Sequence, residues 1–235
     1  MCGIALVCSM AGGLKPSAIS DAIRCLRRRG PDGAGSYVDE HQRLVMGHTR
    51  LAVMDPEFGA QPLLSQDGAL AVAANGEIYG AELRRELRAL GADFRTASDS
   101  EILLHAYQRW GSAAFERLNA ELCATLWDAQ RGQLWAYRDR YGARSLVYQL
   151  DAGVLRIAST VEALFALGAP KAWDEEAMSQ ALAMQYLAPE RTPFRGVYML
   201  PPGYALCFDQ RGLRLTPWGA ADWDAPSAGR HREVA

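Results

Sequence analysis

The residue best placed to do chemistry is a cysteine at position 2, in the opening segment MCGIALVCS. Aminopeptidases remove an initiator methionine before small side chains, and that removal leaves Cys2 with a free α-amine beside its own thiol. An α-amine with an ordinary pKa of about 8 is partly unprotonated at neutral pH, so it can take the thiol proton and activate the nucleophile within one residue. Gly3 leaves the backbone open to a close-lying substrate. On position alone, an incidental cysteine at a frayed terminus is the plainer reading.

Other chemistries are bounded by what the chain lacks. The five cysteines (Cys2, Cys8, Cys25, Cys123, Cys207) are widely spaced and form no C-x-x-C pair. That excludes a zinc knuckle and a redox dithiol. It predicts reduced thiols in a cytoplasmic protein, with all but Cys2 buried. Lys15 and Lys171 are the only lysines and neither follows a glycine, so no G-x-x-x-x-G-K-S/T phosphate loop is encoded. The net charge of -2 gives no electrostatic case for nucleic acid or an anionic membrane as partner. The opening apolar segment has no basic residue before it and is too short for a secretory signal. No apolar run reaches the roughly 18 residues of a membrane span.

A terminal nucleophile needs elements that hold it. Short β-like runs are CGIALVCS, LVMGHTRLAVM, ALAVAANGEIY, LWAYRDR, SLVYQL, VLRIAST and YALCFD, many bounded by Gly, Asn or Asp. Helices are predicted in KPSAISDAIRCLRRRGPDG, where Ile19, Ile23 and Leu26 share a face and Gly30-Pro31 stops the turn, and in AELRRELRALG. ASDSEILLHAYQRWG places Ser98 three residues before Glu101, a capping-box pattern, and residues 174–187 begin with acidic residues as a helix dipole favours. Strands clustered between helices without regular βαβ alternation predict an α+β fold rather than a doubly wound one. The segment WGAADWDAPSAGRHREVA has no periodicity and is expected to be mobile.

From Cys2 onward the chain resembles the glutaminase domain of the asparagine synthetase family, the class II (N-terminal nucleophile) glutamine amidotransferases. The matching pieces are MCGI, RRRGPDGAG, GHTRLAVMD, GAQPL, NGEIYG, ASDSE, LWD, RDRYG and TPFRGVYMLPPG, in the family's order over roughly residues 1–210. The resemblance implies a four-layer αββα sandwich of antiparallel sheets, with a glutaminase domain over 1–212 and a mobile or partner-docking tail over 213–235. It implies Cys2 as nucleophile, with the Asn75 side-chain amide and the Gly76 backbone N–H as oxyanion donors. On pattern alone, AANGEIY reads as a strand ending in an Asn-Gly hairpin turn. The resemblance also implies substrate contacts from Arg50, Leu51, Val53, Glu77 and Asp99. Arg50 would clamp the α-carboxylate of L-glutamine and Asp99 would meet its α-ammonium. The RGPDG loop is expected to be a flap over the substrate. The four histidines are expected to be structural.

The pattern departs from the family in places. LNAELCATLWD lacks the glycine and aromatic residues usual before LWD, which puts ammonia transfer in doubt more than glutamine cleavage. RYGARSL has Ser145 where proline is usual. No S-G-G-x-D-S pyrophosphate loop of a synthetase domain is present. ATP and magnesium are therefore expected on a separate synthetase subunit or a missing C-terminal domain, not on this chain, which has no cofactor of its own. Trp218 and Trp223 are candidates for an apolar docking surface, and a homo-oligomer is also compatible. Two rival readings stand: an inert scaffold subunit of such a synthetase, and a free-standing hydrolase of a γ-glutamyl amide.

Overall fold

All of residues 3–9 are buried, so the first strand must have apolar cover on both faces. In the computed structural model, whose described residues are 1–218, a second sheet covers one face and helices cover the other. Side chains alternate as the pleat requires. Ile4, Leu6 and Cys8 enter the layer between the sheets, whereas Ala5 and Val7 meet the helices.

The strands are β1 (Gly3–Ser9), β2 (Gly33–Val38), β3 (Leu44–Arg50), β4 (Leu63–Leu64), β5 (Leu70–Ile78) and β6 (Ala120–Asp128). They continue with β7 (Gln133–Arg138), β8 (Val147–Asp151), β9 (Val154–Ala158), β10 (Tyr198–Met199), β11 (Tyr204–Asp209) and β12 (Gly212–Pro217). The helices are α1 (Ser20–Leu26), α2 (Ala81–Ala89), α3 (Ser100–Trp110), α4 (Ala114–Arg117), α5 (Val161–Ala166) and α6 (Glu175–Met184). One sheet has the order β10-β8-β9-β1-β3-β2 and the other β12-β11-β7-β6-β5-β4, with every named pairing antiparallel. Helices α1 and α5 cover the outer face of the first sheet through Ala22, Leu26, Ala163 and Leu164. Helices α2, α3 and α4 cover the second through Leu87, Leu103, Ala106 and Phe115. This is the expected four-layer αββα sandwich.

Five strands escaped the sequence pattern for physical reasons. β2 lies at a sheet edge with little burial, so it has no apolar stripe. β6 is buried on both faces over most of its length and therefore does not alternate. β4 and β10 are two residues each. β12 pairs residue for residue with β11 from Gly212 to Pro217. The division expected at residue 212 thus falls inside a hairpin, and residues 213–217 belong to the sheet rather than a tail. Trp218 is committed as well: it stacks on Tyr137 at 4.5 Å between ring centroids and donates its indole N–H to the Arg138 carbonyl. Trp223 and the rest of the expected mobile segment lie outside the described residues. Cys8, Cys123 and Cys207 are buried as expected, but Cys25 is only partly so. No helix among the described residues is long and apolar enough to cross a membrane.

Candidate active site

Cys2 stands one residue before β1, and β1 lies between β3 and β9. The candidate nucleophile is therefore rooted in the middle of a sheet rather than at a loose end. Ser159 accepts the Ile4 N–H at 2.9 Å and returns its own N–H to the Ile4 carbonyl at 2.8 Å. Arg29 donates Nε–H to the Cys2 carbonyl at 3.0 Å. Gly3 serves packing rather than substrate access: a β-carbon there would lie 2.5 Å from Thr49 Oγ1 and 2.9 Å from Leu26 Cβ. The thiol accepts the Leu51 backbone N–H at 3.4 Å. Met1 projects its thioether toward Arg144 and Arg29 and borders the same cleft, so a retained Met1 occupies space a substrate would need.

All eight residues expected at the site, Cys2, Arg50, Leu51, Val53, Asn75, Gly76, Glu77 and Asp99, line one cleft. The cleft holds about 160 Å³ of space that water can enter, and it is open to solvent on one side. Its floor is β5. Asn75 and Gly76 are not in a hairpin turn. The strand runs on through both, pairing Asn75 with Cys123 and Gly76 with Leu122 of β6. Sheet pairing fixes the direction of their amides, and Asn75 is buried with its side-chain amide 4.0 Å from Cys123 Sγ.

Gly76 has φ +145°, and a β-carbon there would lie 1.9 Å from the Glu121 carbonyl oxygen. Gly76→Ala is accordingly expected to lower the melting temperature by about 10 °C, since β5 must move away from β6 to make room. Scanning calorimetry of the variant checks this, and an unchanged melting temperature refutes the tight-packing account.

The cleft wall is the segment after β3, and Arg50 shapes it. Its guanidinium donates to the carbonyls of Met54 at 2.9 Å, Pro56 at 3.0 Å and Asp55. Leu51 and Val53 are exposed along this wall. The RGPDG loop is not a flap. Gly30 packs where a β-carbon would lie 2.3 Å from the Thr49 carbonyl carbon, Pro31 bridges to Arg50, and Asp32 accepts the Ala52 N–H at 2.9 Å. That loop braces the cleft wall from behind.

Asp99 enters from the opposite side and accepts the Ile78 N–H at 2.6 Å. The capping box expected before α3 does not form. Glu101 turns instead to the N–H groups of Arg95 and Thr96, at 2.9 and 2.8 Å, and to the Thr96 hydroxyl. This fixes the segment that carries Asp99. Glu77 is exposed at the rim, opposite Glu121 of β6.

Two further residues line the cleft that motif matching left unassigned. Gln61 accepts the Ala74 N–H at 2.7 Å and reaches Ser100 Oγ, tying β5 to α3 under the cleft. Arg144 borders the cleft within 3.9 Å of Glu121. Gln61 lies inside a matched segment, GAQPL, and Arg144 inside RYGARSL, where the pattern departs from the family, so the segments were visible but their contacts were not.

His48 is structural in a specific way. It points from β3 into the layer between the sheets, where Nε2 donates to the Ala74 carbonyl of β5 at 3.1 Å and Nδ1 has no partner. Burial lowers its pKa from 6.5 to about 4. The unfolded chain takes this proton near pH 6.5 and the folded one only near 4. Stability therefore falls as pH drops through that window, by about 3 kcal/mol in total. Asp39 and Glu101 are lowered too, against the cost of burial, by their hydrogen bonds, and act below their ordinary values of 3.8 and 4.5. Urea unfolding of wild type and His48→Gln between pH 7 and 4.5 is expected to show the fall in the wild type alone. Parallel curves would refute it.

Among the thiols, burial pushes Cys123 up to about 12 and raises Cys8 further. Neither can supply a thiolate at neutral pH. Cys2, partly exposed in the cleft, is the thiol with access to a ligand.

Comparison with known proteins places this geometry. A family model described as a glutamine amidotransferase domain matches residues 1–219. Asparagine synthetase (glutamine-hydrolysing) 3 of Bacillus subtilis strain 168 is 35% identical over 198 residues, covering 81% of this chain and 31% of that protein. Amidase chry2 of Gibberella zeae is 30% identical over 191 residues, covering 80% of this chain and 28% of that one. A putative asparagine synthetase (glutamine-hydrolysing) of Mycobacterium bovis is 34% identical over 238 residues, covering 92% and 36%. Among solved structures, the glutamine phosphoribosylpyrophosphate amidotransferase of B. subtilis shares the fold with a TM-score of 0.69 at 20% identity, covering 92% of this chain and 49% of that one. The chain thus spans only the smaller part of each of these relatives.

Proposed function

Because the chain belongs to the class II glutamine amidotransferase family, we propose that it hydrolyses L-glutamine to glutamate and ammonia through a γ-glutamyl thioester on Cys2. One observation carries the reading: a single cleft unites a partly exposed thiol, a buried amide on a fixed strand, a cation and a carboxylate. With Met1 removed, the Cys2 α-amine takes the thiol proton and the thiolate attacks the side-chain amide carbon of glutamine. The Asn75 Nδ2–H and the Gly76 N–H stabilise the oxyanion. As the tetrahedral intermediate collapses, the C–N bond breaks and the α-ammonium gives its proton to the leaving nitrogen, which departs as ammonia. Water, activated by the same amine, then cleaves the thioester and releases glutamate.

Arg50 and Asp99 are the groups that would recognise the α-carboxylate and α-ammonium, with Glu77 at the rim and Leu51 and Val53 against the aliphatic chain. The ammonia goes to an ATP-dependent amide synthetase, carried on a further domain or a separate chain, which holds the ATP and magnesium. Trp173, Leu182, Met184 and Tyr186 are exposed on and beside α6, an apolar surface that supports a partner there.

The test is mass spectrometry of protein beginning at Cys2 after exposure to a chloroketone analogue of L-glutamine, paired with glutamate release from glutamine. An adduct on Cys2 and glutamate release are expected. An unmodified Cys2, under conditions that label a known amidotransferase, refutes the reading.

A further inference from the structure

We propose that Asp55 is a positioning residue that locks together the two halves of the amino-acid site, the Arg50 side and the Asp99 side. The proposal rests on the glutaminase reading for its substrate. Arg50 and Asp99 come from different parts of the chain, β3 and the turn before α3, and no bond joins their side chains in the structure. Asp55 connects them. Its backbone carbonyl accepts from the Arg50 guanidinium and from the Gly59 N–H at 2.9 Å. Its carboxylate accepts the Phe58 N–H at 3.3 Å through one oxygen and the Ala97 N–H at 2.7 Å through the other.

The Ala97 end is rigid. Arg84 donates to the carbonyls of Thr96, Ala97 and Ser98 from behind, and Glu101 holds the N–H groups of Arg95 and Thr96. Among the described residues, the hydrogen bond that joins residues 96–99 to the Arg50–Gly59 wall is the one from the Ala97 N–H to Asp55. Asp55 itself adopts φ +46°, a left-handed conformation that Asp tolerates better than most residues and that turns its carboxylate toward Ala97.

A carboxylate and an ammonium on one α-carbon can be bound together only if their two receptors keep a fixed separation. The path Arg50, Asp55, Ala97, Ser98, Asp99 sets that separation. Loss of the Asp55 carboxylate frees the Asp55 end of the wall to move relative to Asp99, while Asn75 and Gly76 stay paired in β5 and the Leu51 N–H on Cys2 stays at the β3 end of the wall. Recognition of the amino-acid head should weaken while the reactivity of the thiol stays the same.

The test compares two reagents on protein beginning at Cys2, each read as adduct at Cys2 by mass spectrometry. The chloroketone analogue of L-glutamine needs the amino-acid site, whereas iodoacetamide needs only the thiol. For Asp55→Ala the chloroketone rate constant is expected to fall about tenfold, the worth of one charge-assisted hydrogen bond. The iodoacetamide rate should stay within about twofold, and the KM for glutamine should rise about as much as the chloroketone rate falls, with kcat nearly unchanged. Asp55→Asn keeps one carbonyl acceptor and should fall in between. Glu57→Ala, an exposed acid on the same segment, should match wild type.

Hydrogen exchange gives a readout that does not need the substrate: the Ala97 amide should lose protection in Asp55→Ala. Equal rates for both reagents in wild type and Asp55→Ala, an equal fall in both, or a still-protected Ala97 amide would each overturn the proposal. If unsubstituted protein reacts with iodoacetamide but ignores the chloroketone, the glutaminase reading fails and the substrate role of Asp55 with it. Exchange at Ala97 then still decides whether Asp55 ties the two segments.

Discussion

Cys2→Ala is expected to reduce glutamine hydrolysis by about 10⁴-fold or more, as removal of a covalent nucleophile generally does. The fold should hardly notice. Cys2 precedes β1, is only partly buried, and its sulfur contacts only the Leu51 backbone among its hydrogen-bonding partners. Cys8 and Cys123 cannot take over, since they are buried between the sheets and held protonated, and neither Cys25 nor Cys207 lines the cleft. Cys2→Ser should fail as well, because a hydroxyl is far less acidic than a thiol and the same α-amine cannot activate it to the same degree. The measurement is glutamate release from glutamine beside a thermal melt. Activity above a hundredth of wild type in Cys2→Ala, with an unchanged melt, would remove Cys2 from the mechanism.

Asn75→Ala should cost about 10²- to 10³-fold in kcat with little change in KM, the size expected for one oxyanion donor. The asymmetry follows from where the donor acts. A neutral glutamine amide gains little from an extra N–H in the ground state, whereas the oxyanion gains much. Asn75 lies in β5 with its neighbours paired to β6, so truncation leaves the Gly76 N–H in place and the loss is partial rather than total. Asn75→Asp should be worse than alanine, since a carboxylate there repels the developing charge. Steady-state kinetics separate these outcomes. A rise in KM with constant kcat would make Asn75 a ground-state binding residue instead.

The fold was legible where burial is one-sided or where both-sided burial makes a short apolar run, as in β1 and β11. It was obscured in β6, where small and polar residues interrupt the apolar ones though most are buried on both faces, and in β2, a sparsely buried edge. The site residues were legible as a set because each sits in a short segment with a resembling sequence. Their local geometry was not. Asn75-Gly76 has the composition of a hairpin turn, and pairing with β6 overrides it. Gly30 and Gly3 looked like freedom for the chain and are contacts too close for a side chain. The bonds of Arg50, Arg84 and Asp55 run to backbone carbonyls and N–H groups, and no side-chain pattern records such partners.

The central place of β1 has a consequence for the order of events during synthesis. Its neighbour β9 supplies Ala158 opposite Ala5, so the pairing that roots Cys2 cannot be completed until that residue has left the ribosome. At roughly 5–20 residues per second this leaves an interval of about 10–30 s in which the terminus is an unfolded, accessible peptide. Once β1 docks, Met1 lies against Arg144 at the mouth of the cleft, half-exposed. If Met1 is the residue that must leave, that interval is when an aminopeptidase meets it as extended peptide, and afterwards it meets a terminus held against Arg144.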